Sequence, residues 1–214
     1  GNSLLVVPFV NENEEDITIQ LPQKYRGDNT KTVWYGLRQL NVVEPDNNGN
    51  TVVHFQNEGQ TEVFIRGGSI IPIKPRIRKS SPLMFWDPFR LTIAVDSQGK
   101  AEGELYVDDG QTFDFVKSHQ FVHKKFVFES DQTKATLRST NASEFDKESP
   151  FVTQYDVIIE EIKIAGLQQT PKSIVDSHQA DKTIGFDVDK TNNVLIIRMP
   201  QLLVRDDFEL ILNF

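Results

Sequence analysis

The chain has no cysteine in its 214 residues. Disulfides, thiolate-bound zinc and a thiol nucleophile are therefore excluded, and the redox compartment is left open. It has no run of about 18 apolar residues, the length a membrane-spanning helix needs. Positive charge is scarce: 23 Lys and Arg stand against 31 Asp and Glu, for a net charge of −8. That balance argues against nucleic acid, or an anionic membrane surface, as the main partner. Sustained helical periodicity is missing from every segment, so no long helix is predicted. H-E-x-x-H, G-x-S-x-G, G-x-G-x-x-G and Walker-type spacings do not occur either.

What the chain does have is short β-branched and aromatic runs. Hydrophobic residues make up 38% and include 15 Phe, enough for real cores. Gly, Asn, Asp and Pro separate the runs at short intervals, the spacing of antiparallel sandwiches. The central stretch is Val63-Phe64-Ile65-Arg66-Gly67-Gly68-Ser69-Ile70-Ile71-Pro72-Ile73. It predicts a hairpin turning at Gly67-Gly68, with the second strand lying at an edge or ending near Pro72. A second hairpin is predicted from Gly103–Val107 through Asp109-Gly110 to Gln111–Phe115. Strict alternation makes Ile17–Leu21 half-buried. Further strands are predicted at Val33–Tyr35, Val52–Phe55, Phe89–Val95, Phe121–Phe128 and Ala135–Arg138. The last set is Tyr155–Ile159, Glu161–Ala165, Thr183–Val188, Val194–Met199 and Phe208–Leu212. Polar loops are expected over 11–16, 22–31, 45–49 and 139–149.

The wholly apolar run Leu4–Val7 suits either a strand covered on both faces, as in a parallel α/β barrel, or an ordinary first sandwich strand. It follows Gly1-Asn2-Ser3, with no initiator Met and no basic leader, and reads as a strand cut from a longer polypeptide. Residues 1–82 carry nine Lys and Arg against nine Asp and Glu, whereas 83–214 carry fourteen against twenty-two. The basic, proline-bracketed segment Lys74–Pro82 falls at that break and reads as a solvated connector. The expected fold is all-β, two antiparallel β-sandwich domains spanning 1–84 and 85–214.

Candidate chemistry is thin. Asp108 and Asp109 are adjacent carboxylates, but neighbours on a strand point to opposite faces and cannot converge on one glycosidic bond. Asp109-Gly110 reads better as a turn than as a catalytic pair or a calcium site. His119 and His123 are four apart, a metal-ligand spacing only on a helix, and here they flank or enter a strand. Asn141-Ala142-Ser143 is a formal N-glycosylation sequon. Trp34-Tyr35 and Phe85-Trp86 could stack on sugar rings or pack into a core. No residue is assigned as catalytic, cofactor-binding or metal-binding.

Several elements follow one another in order: Leu4-Leu5-Val6-Val7-Pro8, Leu21-Pro22, Trp34-Tyr35, Val63–Pro72, and Gly103-Glu104-Leu105-Tyr106-Val107-Asp108-Asp109-Gly110. Together they resemble the C-terminal part of the α-glucosidases of glycoside hydrolase family 31. Arg76–Ser81, Asp87-Pro88 and Gly110–Phe113 look most like the glucosidase II branch of that family. The resemblance runs from residue 1 to about residue 130. It implies a missing (β/α)8 barrel followed by a proximal and a distal β-sandwich, with Leu4–Pro8 at the junction. It also implies a parent that is a retaining exo-α-glucosidase of the endoplasmic reticulum lumen, trimming α1,3-linked glucose from N-glycans. Both catalytic aspartates of the family lie on the barrel, so no residue here matches them. The implied partners are the barrel-containing part and a mannose-recognising β subunit. A free-standing carbohydrate-binding module using Trp34 or Trp86 is the alternative.

Overall fold

A computed structural model gives the fold, describing residues 2–9, 16–24, 31–55, 61–143 and 150–214, with the backbone alone for 179–182. The acidic turn expected over 11–16, apart from Asp16, lies outside the described residues, as do 25–30 and 144–149 of the polar loops. In chain order the first strands are β1 (Leu4–Pro8), β2 (Asp16–Gln20), β3 (Trp34–Gly36), β4 (Val42–Val43), β5 (Asn50–His54), β6 (Thr61–Arg66) and β7 (Ser69–Ile73). A 3-10 turn at Ser81–Met84 leads to β8 (Phe89–Ala94), β9 (Lys100–Asp108), a single helical turn α1 (Asp114–Lys117), β10 (Phe121–Ser130) and β11 (Lys134–Asn141). After α2 (Pro150–Gln154) come β12 (Ile158–Ala165), β13 (Ser173–Asp176), β14 (Gln179–Thr183), β15 (Phe186–Asp189), β16 (Val194–Leu203) and β17 (Phe208–Asn213). The protein is all-β.

The strands form a four-stranded sheet in the order β1-β6-β3-β4, a two-stranded sheet of β2 and β5, and an eleven-stranded sheet. The order of the last is β14-β13-β17-β11-β10-β9-β7-β8-β12-β16-β15. The two small sheets face each other across Val7, Leu21, Trp34, Val53, Phe55 and Phe64, with Ile17 and Ile19 packed alongside. The two halves of the large sheet pack on each other. Ile174, Leu210 and Leu212 near one end share a single core with Leu91, Ile162 and Ile197 from the other half. Alternation along β9 and β10 supplies it, since Ala101, Leu105, Val122, Phe126 and Phe128 are buried and Glu102, Glu104 and Lys125 are not. Two pairings inside it run parallel, β8 with β12 and, at Ser69, β7 with β9.

Both predicted hairpins are rearranged. β6 pairs with β1 and β3, whereas β7 pairs with β8 and, at Ser69, with β9. Gly67-Gly68 is therefore a crossover between sheets. The Gly67 amide donates to Val33 O at 2.8 Å and the Gly68 amide to Ala94 O at 2.8 Å, one bond to each side. Gly68 has φ of 87°, a conformation that glycine alone adopts cheaply. Pro72 opposes Leu91 of β8, and β9 is paired to β7 only near Ser69, so its missing N–H leaves no gap in the ladder. The second hairpin joins β9 to β10 instead of to Gln111–Phe115. The Asp109 carboxylate takes the amides of Gln111 and Thr112, both at 3.0 Å, and so withdraws them from any ladder. The strands expected at Tyr155–Ile159 and Glu161–Ala165 are one strand, β12, broken by an irregularity between Ile159 and Glu161. The strand expected at Thr183–Val188 is interrupted, with Thr183 ending β14 and Phe186 starting β15. β1 is an edge strand with Leu4 and Val6 exposed at 43% and 57%, so only one of its faces is covered in this chain.

Where the sheets meet, Tyr35, Leu40 and Ile65 pack on Ala94, Ala165 and Val194. The Tyr35 hydroxyl donates to Val95 O at 2.7 Å, and Val95 N donates to Ala165 O at 3.0 Å. Gly166 follows directly, with φ of 92°, and a methyl group on it would lie 2.2 Å from the Tyr35 hydroxyl oxygen. Burial, with a smaller push from Asp96, raises the Tyr35 phenol to about 12. Elsewhere in the core Lys124 is fully buried. Its ammonium donates to Asn141 Oδ1 at 2.6 Å, Asp207 Oδ1 at 2.7 Å and Arg205 O at 3.0 Å, so all three protons are used.

Candidate functional site

The two tryptophans separate cleanly. Trp34, on β3, is 4% exposed, and its indole N–H donates to Pro22 O at 3.0 Å. It is a core residue. Trp86, just after the 3-10 turn, is 63% exposed. Behind it the Phe85 ring meets it edge-on at 4.8 Å and the Tyr155 ring lies tilted at 5.8 Å. Tyr155 is fully buried and stacks on Phe151 of α2 at 5.4 Å, which anchors the group in the main core. Burial raises its phenol well above the usual tyrosine value.

The backbone beneath Trp86 is held by the connector. Lys74 donates to Met84 O at 2.8 Å and Phe85 O at 2.7 Å, while its ammonium sits 4.6 Å from the centre of the Phe89 ring. Burial lowers its pKa, and Asp87 opposes that shift. Arg78 grips Asp87 through two bonds, at 2.8 and 2.6 Å, and holds that carboxyl below the ordinary aspartate range. Arg76 reaches Glu160 at 2.8 Å, at the irregularity in β12. The segment read as a solvated connector thus spends Lys74 and Arg78 on fixing the turn that carries Trp86, and Arg76 on β12.

Across from Trp86 stands the turn after β9, and between them opens a cleft of about 720 Å³. Its walls include Ser81, Phe85 and Trp86 on one side and Asp109, Gly110 and Gln111 on the other. Asp108 accepts the Gly110 amide at 2.9 Å, and Asp109 takes the Thr112 hydroxyl at 2.8 Å besides its two amides. These donors lower the Asp109 pKa, the Thr112 amide most of all. The adjacent carboxylates are committed to shaping the turn. The Ser81 hydroxyl and the Gln111 side-chain amide are exposed and have no hydrogen-bond partner among the described residues.

The remaining candidates lie elsewhere. His123 on β10 is 3.1 Å from Glu104 and edge-on to Tyr106, while His119 has a φ of 52° and its ring lies near Phe121. Among the described residues no cluster of three or more His, Cys, Asp or Glu could hold a metal ion. Asn141 closes β11, and its side-chain oxygen is taken by Lys124. Sequence reasoning reached Trp86 and Asp109 but not Tyr155, Lys74 or Gln111. Tyr155 is remote in the chain from Trp86, and no local pattern marks a ring that will back another.

No protein-family model matches the chain. It is 34% identical to neutral alpha-glucosidase AB of Dictyostelium discoideum, 100% of the chain aligning with 21% of that protein. It is 31% identical to a probable glucan 1,3-alpha-glucosidase of Oryza sativa subsp. japonica, 97% of the chain aligning with 22% of that protein. Among solved structures, it resembles the ER glucosidase II heterodimeric complex of catalytic subunit and binding domain of regulatory subunit. There the TM-score is 0.80 at 24% identity, over 99% of this chain and 22% of that one. The alignments run well past residue 130, where the sequence signature fades, and the chain spans about a fifth of the length of these curated relatives. Over its whole length the chain is homologous to the C-terminal part of α-glucosidases of glycoside hydrolase family 31.

Proposed function

We propose that this chain is the non-catalytic, C-terminal portion of a retaining exo-α-glucosidase that trims α1,3-linked glucose from N-glycans in the endoplasmic reticulum lumen. Its work there is to buttress the catalytic barrel carried by the rest of that polypeptide. The observation that carries this reading is alignment of the whole chain, at 34% identity, with only 21% of an α-glucosidase. The apolar side chains Leu4, Val6, Val42 and Val52, exposed on the small sheets, supply surface for such a neighbour. The regulatory-subunit domain in the related solved complex supports a second subunit as a partner of the whole enzyme, and in this reading that subunit recognises mannose. In this reading the chain divides into units over 1–84 and 85–214, with β7 lent by the first unit to the large sheet.

The test is α-glucosidase turnover on purified material with intact-mass analysis of the same sample. Turnover is expected only when a larger, barrel-containing polypeptide is present. Turnover from a homogeneous 214-residue chain would overturn the proposal. Limited proteolysis checks the division, with first cleavage expected in 74–82.

A further inference from the structure

We propose that the cleft between Trp86 and the Asp109–Gln111 turn is a binding site for a neutral hexose oligosaccharide. Its apolar floor is an indole 63% exposed and already rigid, since Phe85 and Tyr155 back it and Lys74 ties down the carbonyls of Met84 and Phe85. A platform fixed beforehand loses little conformational freedom on binding. The C–H face of a pyranose packs on such a ring, and its hydroxyls then need donors and acceptors around the rim. The rim provides the Ser81 hydroxyl and the Gln111 amide, both without partners among the described residues, and the ionised Asp109 carboxylate. A free amide and hydroxyl beside an exposed aromatic face meet both halves of a sugar, an apolar surface with a few polar groups that fix orientation.

Charge excludes the obvious competitor. A nucleotide would stack equally well, but its phosphates would face Asp109, and the cation lining the cleft, Lys74, is engaged with two carbonyls and the Phe89 ring. The volume of about 720 Å³ lies within the range of small-ligand pockets and admits more than one sugar ring. Hexoses as probes follow from the proposed function; the stacking platform does not depend on it.

The test uses the chain itself with maltotriose, nigerose and α-linked mannotriose, followed by ligand-observed NMR and calorimetry. Saturable binding of at least one is expected. Trp86→Ala should weaken it by at least about tenfold, and Gln111→Ala by a few-fold. The wild-type chain carries its own reporter, because Trp34 is buried and any ligand-induced change in tryptophan emission comes from Trp86. A urea midpoint of Trp86→Ala close to wild type shows that the fold is kept. No saturable binding of any of the three, or equal binding by Trp86→Ala, would overturn the proposal. Turnover by the longer enzyme is measured separately, so failure of the cleft leaves the buttressing role standing, and the reverse.

Discussion

The seam at Tyr35 and the cleft at Trp86 both place an aromatic ring where two parts of the chain meet, and they end in opposite states. At the seam the Tyr35 hydroxyl is bonded to Val95 O, and Gly166 leaves no room for even a methyl group. At the cleft the ring is open on one side, and the Ser81 and Gln111 side chains wait for a partner. The difference lies in backbone approach. Gly67 and Gly166 let strands of two sheets close to bonding distance, and the amides of Gly67, Gly68 and Val95 all pair within the protein there. Around Trp86 the walls are a 3-10 turn tied down by Lys74 and a loop held by the Asp109 carboxylate, and side chains are left over. One site holds the fold together; the other has groups to spare for a ligand.

The sharpest way to break the comparison is to push the seam apart. Gly166→Ala should cost about 3 kcal/mol, combining a strained positive φ with a clash against the Tyr35 hydroxyl. Urea unfolding measures it, and a loss under about 1 kcal/mol would mean the sheets are not locked there. Tyr35→Phe keeps the ring and strands the Val95 carbonyl, for an expected loss of about 1–2 kcal/mol. The same hydroxyl gives the seam a pH signature. Its folded pKa is raised to about 12, while an unfolded tyrosine ionises near about 10. The folded state therefore keeps a proton that the unfolded chain has already released. This contribution is whole below about pH 10 and is lost as pH rises toward about 12. Tyr155, raised by burial too, adds to the same fall, so Tyr35→Phe should make the alkaline slope shallower without removing it. An unchanged slope would show that Tyr35 is not part of it.

How legible each region was in the sequence follows the range of the interactions. The strands around Val63–Ile65 and Ile70–Ile73 were readable because β-branched and aromatic preferences act locally. Their pairing was not, because a Gly-Gly link serves a tight hairpin and a crossover equally, and only the amides of Gly67 and Gly68, bonded to different sheets, decide between them. Gln111–Phe115 looks like a strand by composition, yet one carboxylate two residues upstream claims its first amides. At the cleft, Trp86 and the Asp-Asp-Gly turn were visible as candidates. That they face each other, and that Lys74, Arg76 and Arg78 are spent on internal bonds, depends on contacts that spacing does not encode.

The smallest expected effect sharpens the comparison from the other side. Trp86→Ala removes a large side chain, and in a core such a change costs about 3–5 kcal/mol. Here the ring is mostly in solvent, and what it loses is contact with Phe85 and Tyr155, rings that keep each other and Phe151 as neighbours. The expected loss is therefore below about 1 kcal/mol by urea unfolding. A loss above about 2 kcal/mol would put Trp86 beside Tyr35 as a residue the fold depends on. Its exposure would then be the open edge of a core, and the contrast between a closed seam and an open cleft would fail. A small loss leaves Trp86 with no reason within this chain to be a tryptophan, and binding is then the property that a large, flat, rigidly held ring on the surface serves.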